Sequence, residues 1–372
     1  YAHLFEMAGG VDAFLIGSEL RGLSFLRSGT SNFPFVDGLV ELAADVRSIV
    51  GLQTAISYAA DWTEYAGLQP PEAPGDKLFH LDALWASENV DAVAIDNYMP
   101  TSDWRGPDLG PDAELTSSIY QLSYLQSNIT GGEGFDWFYA TSADRDAGSR
   151  TPILDGAHSE PWVWRYKDLS SWWQNAHHDR IAGIRQAMPT AWVPESKPFW
   201  FTELGCAAVD KGTNQPNVFG DAKSSENARP YFSDGSPDAL VQRQFLRAHH
   251  RHWRPDQPGF SATDNPVSAI YGERMLDPDR IYCWTWDSRQ YPAFPQQNDV
   301  WSDGPNHQIG HWLTGRLGAA ANDEYVKLVA YDYGVTIAEV STSGVLISGL
   351  AVGAVTTMRA ACSALWEATG LV

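Results

Sequence analysis

The 372-residue chain has no long uncharged apolar run, so the sequence predicts no transmembrane helix. Cysteine is scarce as well. The three cysteines are far apart and form neither a CxxC pair nor a Cys/His cluster, which argues against a disulfide framework and a structural zinc site. We therefore interpret Cys206, Cys283 and Cys362 as reduced residues.

Basic residues are few: 25 Lys and Arg stand against 46 Asp and Glu, for a formal charge of -21. Affinity for nucleic acid depends largely on basic contacts to phosphate, so no nucleic-acid partner is predicted. No glycine-rich phosphate loop follows a predicted strand, and the nearest run, at 131–134, follows a helix-like segment. Because adjacent side chains point apart, His177-His178 does not indicate a metal site either. We predict no cofactor.

Tryptophan is abundant, with 16 residues. Indoles that are not needed for core packing are the surfaces on which flat, amphipathic ligands such as sugars stack. Composition alone favours the other interpretation, in which most of these rings fill the core.

Hydrophobic patterning alternates between strands and helices. Helices are predicted over 2–8, 35–50, 81–85 and 239–253, and strands over 11–17, 53–60, 90–96, 198–205 and 280–287. This order predicts a parallel sheet with helices outside it, either a barrel or a doubly wound sheet. The missing phosphate loop disfavours the second, so we favour a barrel within the α/β class.

We place the barrel domain at 1–322 and a small C-terminal α+β module at 323–372. The long Trp-rich insertion at about 100–198 is interpreted as a roof over the barrel mouth. An aromatic minicore that holds a long loop together is an equally open interpretation.

Two glutamates stand at the ends of predicted strands: Glu19 and Glu203. Hydrolysis of a glycosidic bond needs one acid for the leaving oxygen and a second carboxylate on the other face of the sugar ring. The carboxyl ends of barrel strands are where catalytic side chains gather. A structural ion pair or a helix cap is the alternative for each. Asp61, Asp96 and Asp287, also near strand ends, are interpreted as supporting residues.

The runs GSE at 17–19, WFTELG at 200–205 and WTW at 284–286 are similar to the clan of retaining glycoside hydrolases with (β/α)8 barrels. This resemblance implies Glu19 as acid/base at the end of strand 4 and Glu203 as nucleophile at the end of strand 7. By that count, strands 1 to 3 would precede Tyr1. The implied substrate-binding residues are Ser18, Trp62, Asn97, Tyr98, Trp284 and Trp286.

One position departs from the clan. Ser18 stands where the clan usually has an Asn whose side chain contacts the 2-hydroxyl of the sugar. A catalytically inactive structural or glycan-binding domain therefore stays open as the alternative.

Four longer runs resemble the TIM-barrel-like domain of gene transfer agent and phage tail hub proteins: GVDAFLIGSE at 10–19, SYAADW at 57–62, IDNYMP at 95–100 and KGTNQPN at 211–217. The resemblance covers about 1–320. It implies a baseplate component of a virion-like particle, assembled in the bacterial cytoplasm and oligomeric within the particle. Its implied partners are other tail proteins and cell-envelope glycan, such as peptidoglycan. The residues from 323 onward would begin a further tail-hub module.

Overall fold

The fold is built from short strands and helices, seen here in a computed structural model that describes residues 1–289, 293–313, 320–321, 331 and 346–347. The strands are β1 (Ala13–Ser18), β2 (Ala55–Asp61), β3 (Val93–Asn97), β4 (Trp137–Phe138), β5 (Thr151–Pro152), β6 (Arg180–Ile181), β7 (Ile184–Arg185), β8 (Phe199–Leu204), β9 (Leu276–Cys283), β10 (Ala320–Ala321) and β11 (Leu346–Ile347). The helices are α1 (Ala2–Met7), α2 (Arg21–Ser24), α3 (Pro34–Val50), α4 (Asp82–Trp85), α5 (Leu122–Ser127), α6 (Ser142–Ala147), α7 (Leu169–Gln174), α8 (Ala239–Trp253) and α9 (Ala293–Gln296). Single 3-10 turns lie at Pro111–Glu114, Pro161–Trp164, Gly212–Asn214 and Gly304–Asn306.

Five of these strands form one sheet in the order β1-β2-β3-β8-β9. The pairs β1–β2, β2–β3 and β3–β8 are all parallel, and α3 and α4 lie between the first three strands along the chain. Strands that are consecutive in the predicted alternation are therefore neighbours in space. The predicted α/β class with a parallel sheet is confirmed.

Helix α3 shows why the hydrophobic pattern of the sequence predicted a helix here. Its buried residues recur at helical spacing, Pro34 stands in its first turn and Gly51 ends it with a φ of 72°. The buried positions are Val36, Leu39, Ala43, Val46 and Val50.

The sheet has two different faces. On one, Ile56 packs with Val46 and Val50 of α3 and with Ala2 of α1. On the other, small residues of β1, β2 and β3 surround one large indole, Trp200 of β8. Side chains alternate along a strand. Asp96 and Thr202, two residues beyond Ala94 and Trp200, therefore fall on the Trp200 face.

The chain divides into two compact units. The first unit contains Tyr1–Asn97, Glu133–Leu204 and His250–Tyr282, which includes nearly all of the sheet; the second contains Tyr98–Gly132, Gly205–His249 and Cys283–Val372. The predicted module at 323–372 lies outside the described residues apart from Tyr331 and Leu346–Ile347, so its boundary stays a prediction.

The last strand differs from its prediction over 280–287, because β9 ends at Cys283. The next residues form a β-prone aromatic run, but its main chain pairs elsewhere: Thr285 N–H donates to the His311 carbonyl, and Leu313 N–H donates to the Thr285 carbonyl. Trp284 and Trp286 therefore lie beyond the sheet strand.

Several indoles of the insertion are buried within the first unit: Trp162, Trp172, Trp173 and Trp192. Trp162, Trp172 and Trp192 pack around His177, whose Nδ1 lies 2.8 Å from Asp82 Oδ2 and whose Nε2 lies 2.8 Å from the Trp172 carbonyl. The Trp173 ring instead meets Tyr271 edge to face. For these rings the minicore interpretation is the correct one. Within the described residues we find no helix with the length and apolar character that crossing a bilayer requires.

Candidate functional site

The predicted site residues of the first unit lie at one edge of the sheet. Ser18 ends β1, Glu19 follows it, Trp62 follows β2, Asn97 ends β3 and Glu203 is the penultimate residue of β8. Because these strands are parallel, their carboxyl ends share one edge. The second unit holds the other three predicted residues, Tyr98, Trp284 and Trp286.

Three acids form a row across this edge. Asp61 of β2 is the Cα partner of Asp96 on β3, and Asp96 is the partner of Glu203 on β8. The β3–β8 register shifts between Ile95 and Asp96, directly before this row.

Asp96 is the centre of a hydrogen-bond network that sequence patterns did not reveal. Ser18 Oγ donates to Asp96 Oδ2 at 3.0 Å, and Thr202 Oγ1 donates to Asp96 Oδ1 at 2.7 Å. Each donor is the residue immediately before a candidate catalytic glutamate, Glu19 or Glu203. One carboxyl group therefore ties together the strand ends that carry both glutamates.

This contact also reports the curvature of the sheet. Ser18 and Asp96 belong to strands separated by β2, and a flat sheet would hold such strands about 10 Å apart. A 3.0 Å contact requires that both side chains point to the concave face. The sheet is thus curved in the manner of a barrel wall.

An irregularity in β1 turns Ser18 toward that face. The β1–β2 register shifts between Leu15 and Ser18, and Glu19 has a φ of 52° while its N–H donates to the Ala59 carbonyl at 2.8 Å. This left-handed conformation costs a non-glycine residue roughly 1–2 kcal/mol. Such strain often occurs at functional sites.

Burial shifts the pKa of Asp96, which is 1% exposed. Loss of solvent raises the pKa of this carboxyl; the hydrogen bonds from Thr202 and Ser18 oppose the shift, and the charge of Asp61 adds to it. Asp96 therefore takes up a proton at a higher pH than an ordinary carboxylate does.

The two glutamates differ in their surroundings. Glu19 is exposed, whereas Glu203 is partly buried.

An aromatic pair stands beside the acidic row. The Trp62 ring meets Tyr166 of the insertion edge to face, with centroids 4.9 Å apart. Tyr166 is held against Gly134, where a Cβ atom would lie 2.0 Å from the Tyr166 ring. The insertion therefore needs glycine at 134 to bring an aromatic side chain to the strand-end edge.

The remaining predicted residues differ in exposure. Asn97 is 1% exposed and Tyr98 is 7% exposed, with the Tyr98 ring edge-on to His311 at 5.2 Å. Trp284 and Trp286 are 46% and 66% exposed. Asn97 and Tyr98 are thus packed side chains, while the two indoles are open to solvent.

A second buried carboxyl, Glu64, lies on the helix-facing side of β2. Its carboxyl accepts hydrogen bonds from Ser24 Oγ, from Tyr58 OH at 3.0 Å and from Asp61 N–H at 3.1 Å. Burial raises the pKa of Glu64, and these hydrogen bonds oppose the shift. This network joins the turn after β2 to helix α2.

Metal chemistry finds no support in the described part of the chain, where no three His, Cys, Asp or Glu side chains are grouped to hold an ion. His177 and His178 each bond protein groups instead; Nδ1 of His178 lies 2.9 Å from the Gln186 carbonyl.

Comparison with known proteins gives one family match. The family described as the GTA TIM-barrel-like domain, where GTA stands for gene transfer agent, matches residues 1–295. No curated protein matches the chain.

Proposed function

The chain belongs to the GTA TIM-barrel-like domain family, and from that premise we propose that it is a tail-hub component of a gene transfer agent particle whose barrel hydrolyses cell-envelope glycan. The proposed substrate is peptidoglycan or another envelope polysaccharide. Glu19 and Glu203 are the proposed catalytic pair.

One observation carries this proposal: the residues before both glutamates hydrogen-bond the same buried carboxyl, Asp96. Catalysis requires two carboxylates held at a fixed spacing, about 5 to 5.5 Å in retaining glycosidases. Side chains on strands are held more precisely than side chains on loops. The Ser18–Asp96–Thr202 network supplies such a constraint between β1 and β8.

In the proposed reaction, Glu19 donates a proton to the leaving glycosidic oxygen as Glu203 attacks the anomeric carbon. The bond to the leaving sugar breaks and a covalent glycosyl-enzyme forms. Glu19 then takes a proton from water, which attacks the same carbon and releases Glu203.

A structural or glycan-binding hub without turnover is the second candidate. The observation that favours it is at Ser18, the position where the resembling clan usually has an Asn that contacts the sugar. Here the Ser18 hydroxyl donates a hydrogen bond to Asp96 instead.

The test is turnover by the purified full chain on peptidoglycan and on other envelope polysaccharides, measured as released reducing ends. Glu19→Gln and Glu203→Gln should each reduce turnover by about 10²-fold or more. Glu88→Gln, at an exposed glutamate, is the matched control and should turn over like the unaltered protein. Equal turnover by all four proteins contradicts the catalytic assignment, and binding without turnover supports the second candidate.

The hub placement is tested separately. Gold-labelled antibody against this chain should mark one end of the particle tail in electron micrographs. Labelling spread over the head would contradict it.

A further inference from the structure

The first unit contains a cavity of about 180 Å³, lined in part by the first turns of α3 and α4, which we call the His80 cavity. We propose that it binds a short primary alkylammonium ion. The volume is below the range of drug-sized sites, about 300–1,000 Å³, so it suits a molecule of few atoms. Neither Glu19 nor Glu203 lines the cavity, so this proposal goes beyond hydrolysis.

His80 is the lining side chain that the protein leaves without partners. It is 5% exposed, and among the described residues neither of its ring nitrogens makes a hydrogen bond. Burial lowers the pKa of His80 to about 3, and the charge of Lys77 adds to the shift, so the ring is neutral at pH 7. A neutral imidazole has one N–H donor and one nitrogen lone pair. The Leu78 carbonyl, which opposes the shift, could serve only the N–H, so the lone pair is left without a donor.

Asp82 supplies a charged acceptor to the same cavity. It is 2% exposed, and its hydrogen bonds with His177 and Thr190 both fall on Oδ2. Within the described residues, no hydrogen bond reaches Oδ1. A primary ammonium has three N–H donors, so one ion can serve both the His80 lone pair and Asp82 Oδ1.

The charge of the cavity favours a cation. Asp37, Asp82 and Asp179 line it, and in the described part of the chain neither a lysine nor an arginine does. Burial raises the pKa of Asp179; the hydrogen bond from Phe79 N–H opposes the shift, and the charge of Asp82 adds to it. A cation bound beside these carboxyls would offset their repulsion.

The apolar wall of the cavity suits a short alkyl chain. Phe33, Val36 and Phe79 line it and are buried, and the Phe79 ring stacks on His177 with centroids 4.3 Å apart. An alkyl chain placed here removes apolar surface from water. A quaternary ammonium would meet the rings and the negative charge, but it has no N–H for His80. An anion would meet three carboxyls.

The experiment is an NMR titration at pH 7 of the full-length chain labelled with 15N in its ten histidine rings. His80→Leu identifies the His80 signal by removing it. Propylamine and butylamine are the primary-amine probes, tetramethylammonium is the cation without an N–H, and propionate is the anion. Both amines should shift the His80 signal, and propionate should not. Saturation transfer to the probe protons gives the affinities, and tetramethylammonium should bind about tenfold more weakly than propylamine.

Variants test the groups that hold the ion. His80→Leu should weaken propylamine binding by about tenfold, because it removes an acceptor of a charged donor. Its thermal unfolding should match that of the unaltered chain, since an apolar side chain replaces a buried ring without partners. Asp37→Asn, at an exposed residue of α3, should weaken binding by about twofold to fivefold. Asp45→Asn, at an exposed residue of the same helix outside the cavity, is the matched control and should bind like the unaltered chain.

The outcomes separate this proposal from hydrolysis. Glu203→Gln should bind propylamine as tightly as the unaltered chain, so a failure of the catalytic proposal would leave the His80 cavity supported. No binding of either amine, equal affinity for tetramethylammonium, or undiminished binding by folded His80→Leu would overturn the proposal. If His80→Leu does not fold, equal affinities of Asp37→Asn and Asp45→Asn would overturn it instead.

Discussion

Asp96 and Glu64 are two buried carboxyls near the same edge of the sheet, on opposite faces. Asp96 is 1% exposed and accepts hydrogen bonds from the hydroxyls of Ser18 and Thr202. Glu64 is 0% exposed and accepts hydrogen bonds from the hydroxyls of Ser24 and Tyr58. Burial raises the pKa of both. Their chemistry is therefore nearly the same.

The donors to these two carboxyls differ in their neighbours along the chain. Ser18 and Thr202 come from two strands of the sheet, and each directly precedes a candidate catalytic glutamate. Ser24 and Tyr58 join helix α2 to β2, and the backbone N–H of Asp61 adds the turn after β2. A buried hydrogen-bonded carboxyl thus does not identify a functional site by itself. The positions that its donors hold distinguish Asp96 from Glu64.

The largest effect on stability is expected at Glu64. Glu64→Ala leaves two hydroxyls and one N–H without their buried acceptor and should lower the free energy of unfolding by about 3 kcal/mol. Urea denaturation measures this change. Turnover per folded molecule should stay unchanged.

Glu72→Ala is the control for this variant, because the Glu72 side chain is 66% exposed and pairs only at the surface with Arg27. An equal loss of stability in both variants would show that the Glu64 network has no special role.

Asp96→Asn should show that the hydrogen-bond network around Asp96, unlike the one around Glu64, affects glycan turnover. The amide keeps the shape of the carboxyl but replaces one acceptor oxygen with a donor, so either Ser18 or Thr202 loses its partner. We expect turnover to fall by about tenfold, because small displacements of catalytic groups cost rate. The kcat is expected to carry the loss rather than KM.

Glu64→Gln makes the same chemical change at the other carboxyl and is the matched control. It should lower stability while leaving kcat unchanged. A drop in kcat of similar size in both variants would remove the distinction between the networks.

Single donors should have smaller effects. Ser18→Ala and Thr202→Val each remove one hydroxyl from Asp96, and each should cost about 0.5–1.5 kcal/mol of stability. Combined with Asp96→Asn, their costs should be less than additive, because all three changes break one network. Strict additivity in urea denaturation would contradict the shared network.

Regular patterns made part of this arrangement predictable. The spacing of Val36, Leu39, Ala43 and Val46 predicted α3, and the β-α alternation predicted parallel strands. Parallel strands place Glu19 and Glu203 at one edge of the sheet, so their common location followed from the sequence. Their catalytic roles stay a proposal.

The bond between Ser18 and Asp96 was not predictable, because it depends on curvature and on the register shift after Leu15. Neither leaves a periodic signal. The β-propensity of the aromatic run likewise led us to predict that the last strand extends to 287, whereas it ends at Cys283. Propensity does not reveal that the main chain of Thr285 hydrogen-bonds that of His311 and Leu313 instead.

Motifs also differ in what they reveal. The run at 211–217 resembles the hub family, yet in the second unit it contains Asn214, a buried side chain that hydrogen-bonds the main chain of neighbouring loops. Asn214 is 3% exposed, and its side-chain amide donates to the carbonyls of Trp104 at 2.8 Å and Tyr231 at 2.9 Å. Its oxygen accepts from Trp104 N–H at 2.9 Å. Resemblance identifies such residues, but only the contacts assign them a supporting role.

The smallest expected effect is a dependence on pH that both carboxyls share. Each has a higher pKa in the folded protein than in the unfolded chain, where carboxyls titrate near pH 4. Between the unfolded and the folded pKa the folded state binds more protons, so this contribution to stability falls as pH rises through that window. Asp96→Asn and Glu64→Gln each remove one such contribution. In urea denaturation from pH 4 to 7, the unfolding free energy of each variant minus that of the unaltered protein should therefore rise with pH. Taking this difference cancels the contribution of the other carboxyls to the pH dependence. A difference in unfolding free energy that stays flat or falls with pH for Asp96→Asn would contradict the raised pKa of Asp96.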